Sequence, residues 1–184
     1  MIKMSKYYVP KYIIFDRDGT LIEHVHYLKR IEQVKFVANI DETLQRAKSL
    51  GFHFGIISNQ SIIERGFATH QEVNEVNQFI VDFLSYEYGI DFDFVRICPH
   101  VPSTNCKCRK PEIGLIESFL KKGLIETSES YMVGDQYSDV VFGKNAGLRT
   151  VLITSESKIE TSFDKPDFCI SRFIDLIEIL ELSR

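Results

Sequence analysis

The sequence predicts an α/β fold in which a doubly wound parallel sheet is covered by helices on both faces. Three observations predict it. Short apolar runs alternate along the chain with segments of helical periodicity. Most of these runs lack the every-second-residue polarity of a half-exposed strand, so both of their faces are buried. The runs also end, one after another, in acids, hydroxyls, amides and bases. In such sheets the active site lies beyond the carboxyl ends of the strands.

Tyr12-Ile13-Ile14-Phe15 reads as the first strand, ending in acids. Ile40, Leu44, Ala47 and Leu50 recur at helical spacing, and Gly51 stops that helix. A second strand is expected over 52–57. Val73, Val76, Phe79, Ile80, Phe83 and Leu84 mark an amphipathic helix closed near Gly89. A third strand covers 92–97. A helix is expected over 111–122, with Pro111 in its first turn and Gly123 at its end. Then come a fourth strand over 130–133, a helix over 138–145 ended by Gly147, and a fifth strand over 150–153. A sixth strand over 167–170 and a closing helix over 173–182 complete the pattern.

No repeat, low-complexity tract or linker interrupts this alternation, so residues 1–184 are expected to form one domain. Hydrophobic residues make up 44% and charged residues 26%, the balance of an ordinary globular protein. The net charge of -4 argues against a nucleic-acid partner. No stretch reaches the roughly 18 apolar residues that would span a bilayer. The first ten residues hold no apolar run of signal-peptide length. A cytoplasmic location, no membrane partner and a monomeric state are expected.

Asp16 and Asp18 stand two apart beyond the first strand, which points them to one side and Arg17 away. Two neighbouring carboxylates want a cation, and a hard one with oxygen ligands, Mg²⁺, suits them. Asp135, arriving after the fourth strand, completes the cage. One carboxylate can then attack phosphorus while the second protonates the leaving oxygen and later activates water. Gly19 permits a tight turn, and the Thr20 hydroxyl is suited to orienting a carboxylate. Ser58 and nearby backbone N–H groups are suited to holding phosphoryl oxygens, and Lys110 to offsetting their charge.

Taken singly, these groups have blander readings. Asp-x-Asp-Gly is also a surface turn, Ser58-Asn59-Gln60-Ser61 a polar loop, Arg109-Lys110 a solvated pair and Asp135 a helix cap. An EF-hand loop is excluded, because its later ligands and its Glu at the twelfth position are missing. In this order and after these strands, the site reading prevails.

Cys98, His100, Cys106 and Cys108 supply three thiolates and one imidazole. That set closes a tetrahedral Zn²⁺ site with no position left for water, so the zinc is expected to be structural. It would staple the loop 98–108 and fix Arg109 and Lys110, the next residues. Cys169 is expected to be a small buried hydrophobe in its strand. His24 and His26 follow the first motif within reach of a substrate, while His53 and His70 receive no role.

These residues resemble the haloacid dehalogenase superfamily of phosphatases, over about residues 13–153. Asp16-Arg17-Asp18-Gly19-Thr20 is similar to its first motif, Ser58 to its second, Lys110 to its third, and Gly134-Asp135 with Asp139 to its fourth. The resemblance implies a Rossmann-like fold with Asp16 as nucleophile and Asp18 as general acid/base. It implies Mg²⁺ held by Asp16, the Asp18 backbone carbonyl and Asp135, with Asp139 in support. Ser58, Asn59, Gln60, Ser61, Arg109 and Lys110 would contact substrate. The zinc tetrad before Arg109-Lys110-Pro111 narrows the resemblance to the branch acting on heptose 1,7-bisphosphate and on histidinol phosphate. That branch has no large cap domain, and its substrate is a small phosphorylated metabolite.

Asn59-Gln60-Ser61, Arg65-Gly66 and the region of His26-Tyr27 favour the heptose substrate, so the resemblance implies removal of the 7-phosphate of heptose 1,7-bisphosphate toward nucleotide-activated heptose, with histidinol phosphate as the alternative. The five residues between His100 and Cys106 make a short zinc loop and favour histidinol phosphate. Ile62, Glu64 and Gln136 depart from the family pattern, and motivate a third reading as an inactive zinc-stabilised binding module.

Overall fold

In the computed structural model, residues 8–155 and 165–182 are described. Of the ten N-terminal residues considered above, 1–7 lie outside that range.

Six strands form one sheet: β1 (Tyr12–Phe15), β2 (His53–Asn59), β3 (Phe94–Cys98), β4 (Tyr131–Gly134), β5 (Arg149–Ile153) and β6 (Phe168–Ile170). Their order is β3-β2-β1-β4-β5-β6, and every pairing is parallel. The chain winds outward from β1 through β2 to β3. It then returns to the other side of β1 for β4, β5 and β6. The strand order therefore reverses between β1 and β4, the place where such sheets open a crevice for ligands.

The helices are α1 (Ile40–Ser49), α2 (His70–Tyr88), α3 (Glu117–Lys121), α4 (Tyr137–Asn145) and α5 (Leu176–Leu182). Alternation along β1 sends its side chains into two cores. Ile13 and Phe15 pack with Leu44 of α1, Ile80 of α2 and Leu176 of α5. Tyr12 and Ile14 join the opposite core with Ile116 and with Phe142 of α4. Both faces of the sheet are thus covered, as continuous apolar strands require.

The long helix α2 shows why local sequence sufficed in places. Thr69 caps it: its hydroxyl accepts from the Glu72 N–H at 3.1 Å, and Glu72 accepts from the Thr69 N–H at 2.7 Å. Gly89 ends it with φ of 66°, a conformation that suits glycine.

Three expectations need correction. The helix foreseen over 111–122 is the single short α3, because the preceding backbone donors serve turns. Glu112 N–H donates to the Arg109 carbonyl at 2.8 Å and Gly114 N–H to the Lys107 carbonyl at 2.9 Å. Cys169 is exposed, not buried, because β6 forms the sheet edge. The closing helix begins as a 3-10 turn over Phe173–Asp175 before α5.

Among the described residues, no inserted domain covers the strand ends. The loops 16–39, 60–69 and 99–116 reach over them instead, the first carrying only a 3-10 turn at Ile31–Gln33 and isolated bridges. No helix among the described residues is long and apolar enough to cross a membrane.

Candidate active site

Asp16 continues β1 by one residue, its N–H donating to the Val133 carbonyl of β4 at 2.9 Å. This puts its carboxylate at the crevice between β1 and β4. Lys110 reaches it from a loop far along the chain. The Lys110 ammonium lies 2.6 Å from Asp16 Oδ1, 2.7 Å from Asp139 Oδ1 and 2.8 Å from the Ile57 carbonyl oxygen. Lys110 is only 3% exposed. Burial alone would lower its pKa, but the Asp16 and Asp139 carboxylates outweigh burial and raise it. Burial pushes Asp139 the other way for a carboxyl, up to about 6, against the pull of Lys110.

Asn59, at the end of β2, holds Lys110 by its backbone. Its side-chain amide donates to the Lys110 carbonyl at 3.1 Å and accepts from the Lys110 N–H at 3.0 Å. The adjacent Gln60 is buried, and its amide donates to Asp18 Oδ2 at 2.7 Å and to Ser58 Oγ at 2.8 Å. Asn59 and Gln60 were expected to contact substrate. Both line the cavity above the carboxylates, and their side-chain amides also hold Lys110 and Asp18.

Arg17 also differs from expectation. Its backbone directs it away from Asp16, but its guanidinium curls back onto Asp18, with Nη2 2.9 Å from Oδ2 and 3.0 Å from Oδ1. It is 1% exposed and donates further to Asn77 Oδ1 of α2 at 2.7 Å and Gln60 Oε1 at 3.0 Å. A buried guanidinium in such a network is a rigid fork for a carboxylate. Sequence reading missed Arg17 and Asn77, which lie sixty residues apart and meet only in the fold. Thr20 does not orient a carboxylate: its hydroxyl is buried with no hydrogen-bond partner among the described residues.

Asp135 follows β4 as foreseen. Asp16, Asp135 and Asp139 each offer a carboxylate oxygen, all within 4.8 Å of one another. Asp135 Oδ1 is buried and takes no hydrogen bond among the described residues. Gln136 Nε2 donates to its other oxygen at 2.8 Å. Burial raises the Asp135 pKa, with the Asp16 carboxylate adding to the effect. The space is also kept tight by glycine. A Cβ on Gly19, whose φ is +80°, would lie 2.4 Å from Asp135 Oδ2, and one on Gly134 would lie 2.2 Å from Asp139 Oδ2. Crowded carboxylates with an unsatisfied oxygen fit a hard divalent cation such as Mg²⁺. The Asp18 carboxylate stands outside this trio, engaged by Arg17 and Gln60.

Cys98, His100, Cys106 and Cys108 converge as their spacing suggested. Their ligand atoms fall within 4.8 Å of one another. Cys108 Sγ lies 3.1 Å from Cys98 Sγ, 3.4 Å from Cys106 Sγ and 3.2 Å from His100 Nδ1. These separations are too long for disulfides and near the edge of about 3.8 Å in a tetrahedron with Zn–S of about 2.3 Å. Burial pushes the Cys98 thiol up to about 12, a burden that a bound cation would reverse. The donor set fits zinc. Arg109, next in the chain, donates through Nη1 to the His100 carbonyl at 3.0 Å.

A cavity of roughly 650 Å³ opens above the carboxylates. Asp16, Asp18, Ser58, Asn59, Gln60, Ser61, Arg109 and Lys110 all line it, joined by Arg65. The Arg65 guanidinium takes no hydrogen bond or ion pair among the described residues, and it is exposed. His24 and His26 line the same cavity. His26 packs on Tyr27 at a ring-centroid distance of 3.8 Å, and Tyr27 on Phe67 at 4.5 Å, joining the loops over 16–39 and 60–69.

Comparison with known proteins agrees with this geometry. A HAD-hydrolase-like family model matches residues 107–176. A D-glycero-beta-D-manno-heptose-1,7-bisphosphate 7-phosphatase from Helicobacter pylori is 35% identical over 82% of this chain and 87% of the relative. The bifunctional histidine biosynthesis protein HisB of Legionella pneumophila is 34% identical over 78% of this chain, which spans 41% of that protein. A crystal structure of D,D-heptose 1.7-bisphosphate phosphatase from B. bronchiseptica, complexed with magnesium and phosphate, superposes with a TM-score of 0.80. It is 21% identical and is covered over 99% of its length, against 95% of this chain. The chain belongs to the haloacid dehalogenase-like phosphatases.

Proposed function

We propose that this chain is a Mg²⁺-dependent phosphatase that removes the 7-phosphate of D-glycero-D-manno-heptose 1,7-bisphosphate, as a step toward nucleotide-activated heptose. The observation that carries the reading is the pairing of Asp16 and Lys110 beneath a cavity whose rim adds Arg65 and Arg109. The two arginines line the same cavity as the reacting pair and suit a substrate with a second anionic end. Residues 1–184 act as one phosphatase domain in this reading.

Asp16 attacks phosphorus, and the bond from phosphorus to the sugar oxygen breaks. Asp18, protonated, gives its proton to that leaving oxygen. The resulting Asp18 carboxylate takes a proton from water as the water attacks phosphorus, and the bond to Asp16 breaks. Arg17 and Gln60 set the direction of Asp18, and Asn59 sets the height of Lys110. Lys110 Nζ neutralises the oxygen of Asp16 that does not attack, and Ser58 faces the phosphoryl oxygens. Mg²⁺, held by Asp16 and Asp135 with the Asp18 carbonyl, would supply charge neutralisation for the phosphoryl group. Zn²⁺ on the cysteine and histidine tetrad would keep Arg109 and Lys110 in place.

Histidinol phosphate is the second reading, favoured by the short loop from His100 to Cys106. The deciding experiment compares kcat/KM on both substrates with Mg²⁺ present. The heptose bisphosphate is expected to be preferred by at least ~10-fold, about 1.4 kcal/mol of transition-state binding. A preference for histidinol phosphate overturns the assignment.

A further inference from the structure

Glu64 stands in the loop after β2, where the side chain serves neither strand nor core and is exposed. It nevertheless makes a dense set of contacts across to the loop that bears the cysteine and histidine tetrad. The Val101 N–H donates a short bond to Glu64 Oε2. The Thr104 hydroxyl lies 2.9 Å from Oε1 and 2.8 Å from Oε2. The Glu64 N–H donates back to the Pro99 carbonyl at 3.3 Å. Bonds to an ionised carboxylate are the stronger kind.

The two loops so joined carry the two rim arginines. Arg65 is the next residue after Glu64. Arg109 is tied through its guanidinium to the His100 carbonyl, and Val101 follows His100. At its base, the Glu64 loop is fixed by the Gln60 N–H on the Cys98 carbonyl at 2.7 Å. Its middle is seated by Ile62, Ala68 and Val73. The tip, where Arg65 sits, crosses to the neighbouring loop through Glu64.

We propose that Glu64 is a positioning residue that latches the Arg65 loop onto the cysteine and histidine loop, setting the spacing of Arg65 and Arg109 across the cavity. It touches neither the reacting atoms nor the carboxylate trio. Its contribution therefore falls on binding of the distal part of the substrate and not on chemistry at Asp16.

The test uses the metal-loaded protein, Glu64→Ala and Glu64→Gln. Its kinetic arm rests on the heptose bisphosphate reading, and its exchange arm does not. Hydrogen exchange at the Val101 amide is expected to speed up by at least ~10-fold in Glu64→Ala, with Glu64→Gln between it and the parent. KM for the heptose bisphosphate should rise about 5–10-fold with kcat within about twofold, while turnover of p-nitrophenyl phosphate stays unchanged. Val101 exchange that does not move overturns the latch. So does an equal loss of kcat on both substrates. If the parent protein fails to hydrolyse the heptose bisphosphate, the substrate reading fails alone, and Val101 exchange still decides the role of Glu64.

Discussion

Replacing Lys110 by Met removes a cation that two buried carboxylates share. Lys110 and Asp139 are 3% and 2% exposed, and Nζ lies within 2.8 Å of Asp16, Asp139 and the Ile57 carbonyl. Breaking a buried ion pair costs about 3–5 kcal/mol, since the stranded charge stays desolvated. Proton uptake by Asp139, already pushed up to about 6 by burial, relieves part of this. A loss of about 3 kcal/mol at pH 7 is therefore expected, and with it a Tm lower by roughly 6–12 °C for a chain of this size. Urea unfolding without added Mg²⁺ measures it. The pH dependence has a definite sign. A carboxyl whose folded pKa is raised binds its proton more tightly folded than unfolded, so its stabilising effect is present at low pH. That effect is lost as pH rises through the folded pKa. The Lys110→Met deficit should therefore shrink as pH falls from 8 to 5. Separately, kcat should fall by about 10²–10³-fold with the lost charge stabilisation. A deficit below about 1 kcal/mol, or one indifferent to pH, refutes the shared-cation account.

Other perturbations reach other parts of the site. Gly134→Ala brings a Cβ to 2.2 Å from Asp139 Oδ2 and should displace that carboxylate from Lys110. A loss of about 1–3 kcal/mol is expected in thermal or urea unfolding, and full stability would show that the contact yields easily. Metal analysis of the purified protein should find about one zinc per chain, lost in Cys106→Ser together with part of the Tm. A zinc-free protein of unchanged stability would remove the structural metal from the account. Because burial raises the Asp135 pKa, Mg²⁺ must compete with a proton there at a pH above the ordinary aspartate range. Its apparent affinity, followed by calorimetry, should weaken as pH falls into the acid range, sooner than for an ordinary aspartate. An affinity flat over that range contradicts the role of Asp135.

The strands were legible because a strand buried on both faces must be apolar throughout, and Tyr12–Phe15 is. Asp16, Asp135 and Lys110 were legible as chemistry because each follows a strand or a cysteine and histidine cluster with recognisable spacing. What the sequence could not reveal is long-range commitment. Asn59 clamps the backbone of Lys110, 51 residues away, and Arg17 meets Asn77 across 60. A polar side chain after a strand reads the same whether it faces substrate or a neighbouring loop, and only the fold separates the two. The helix over 111–122 was overread for a related reason. Gly114 is pressed against the Lys107 carbonyl, which a Cβ would meet at 2.2 Å, so tertiary contact overrides the local pattern. Glu64 looked like a departure from a family pattern and proved to be a bridge between loops.

The central claim is that Asp16 carries the phosphoryl group, and chemical trapping tests it most directly. Borohydride added during turnover reduces an aspartyl-phosphate to homoserine, and peptide mass spectrometry locates it. Homoserine at position 16, absent without substrate and absent in Asp16→Asn, is the predicted result. An unmodified Asp16 during turnover, or reduction at Asp18 or Asp135 instead, would contradict it.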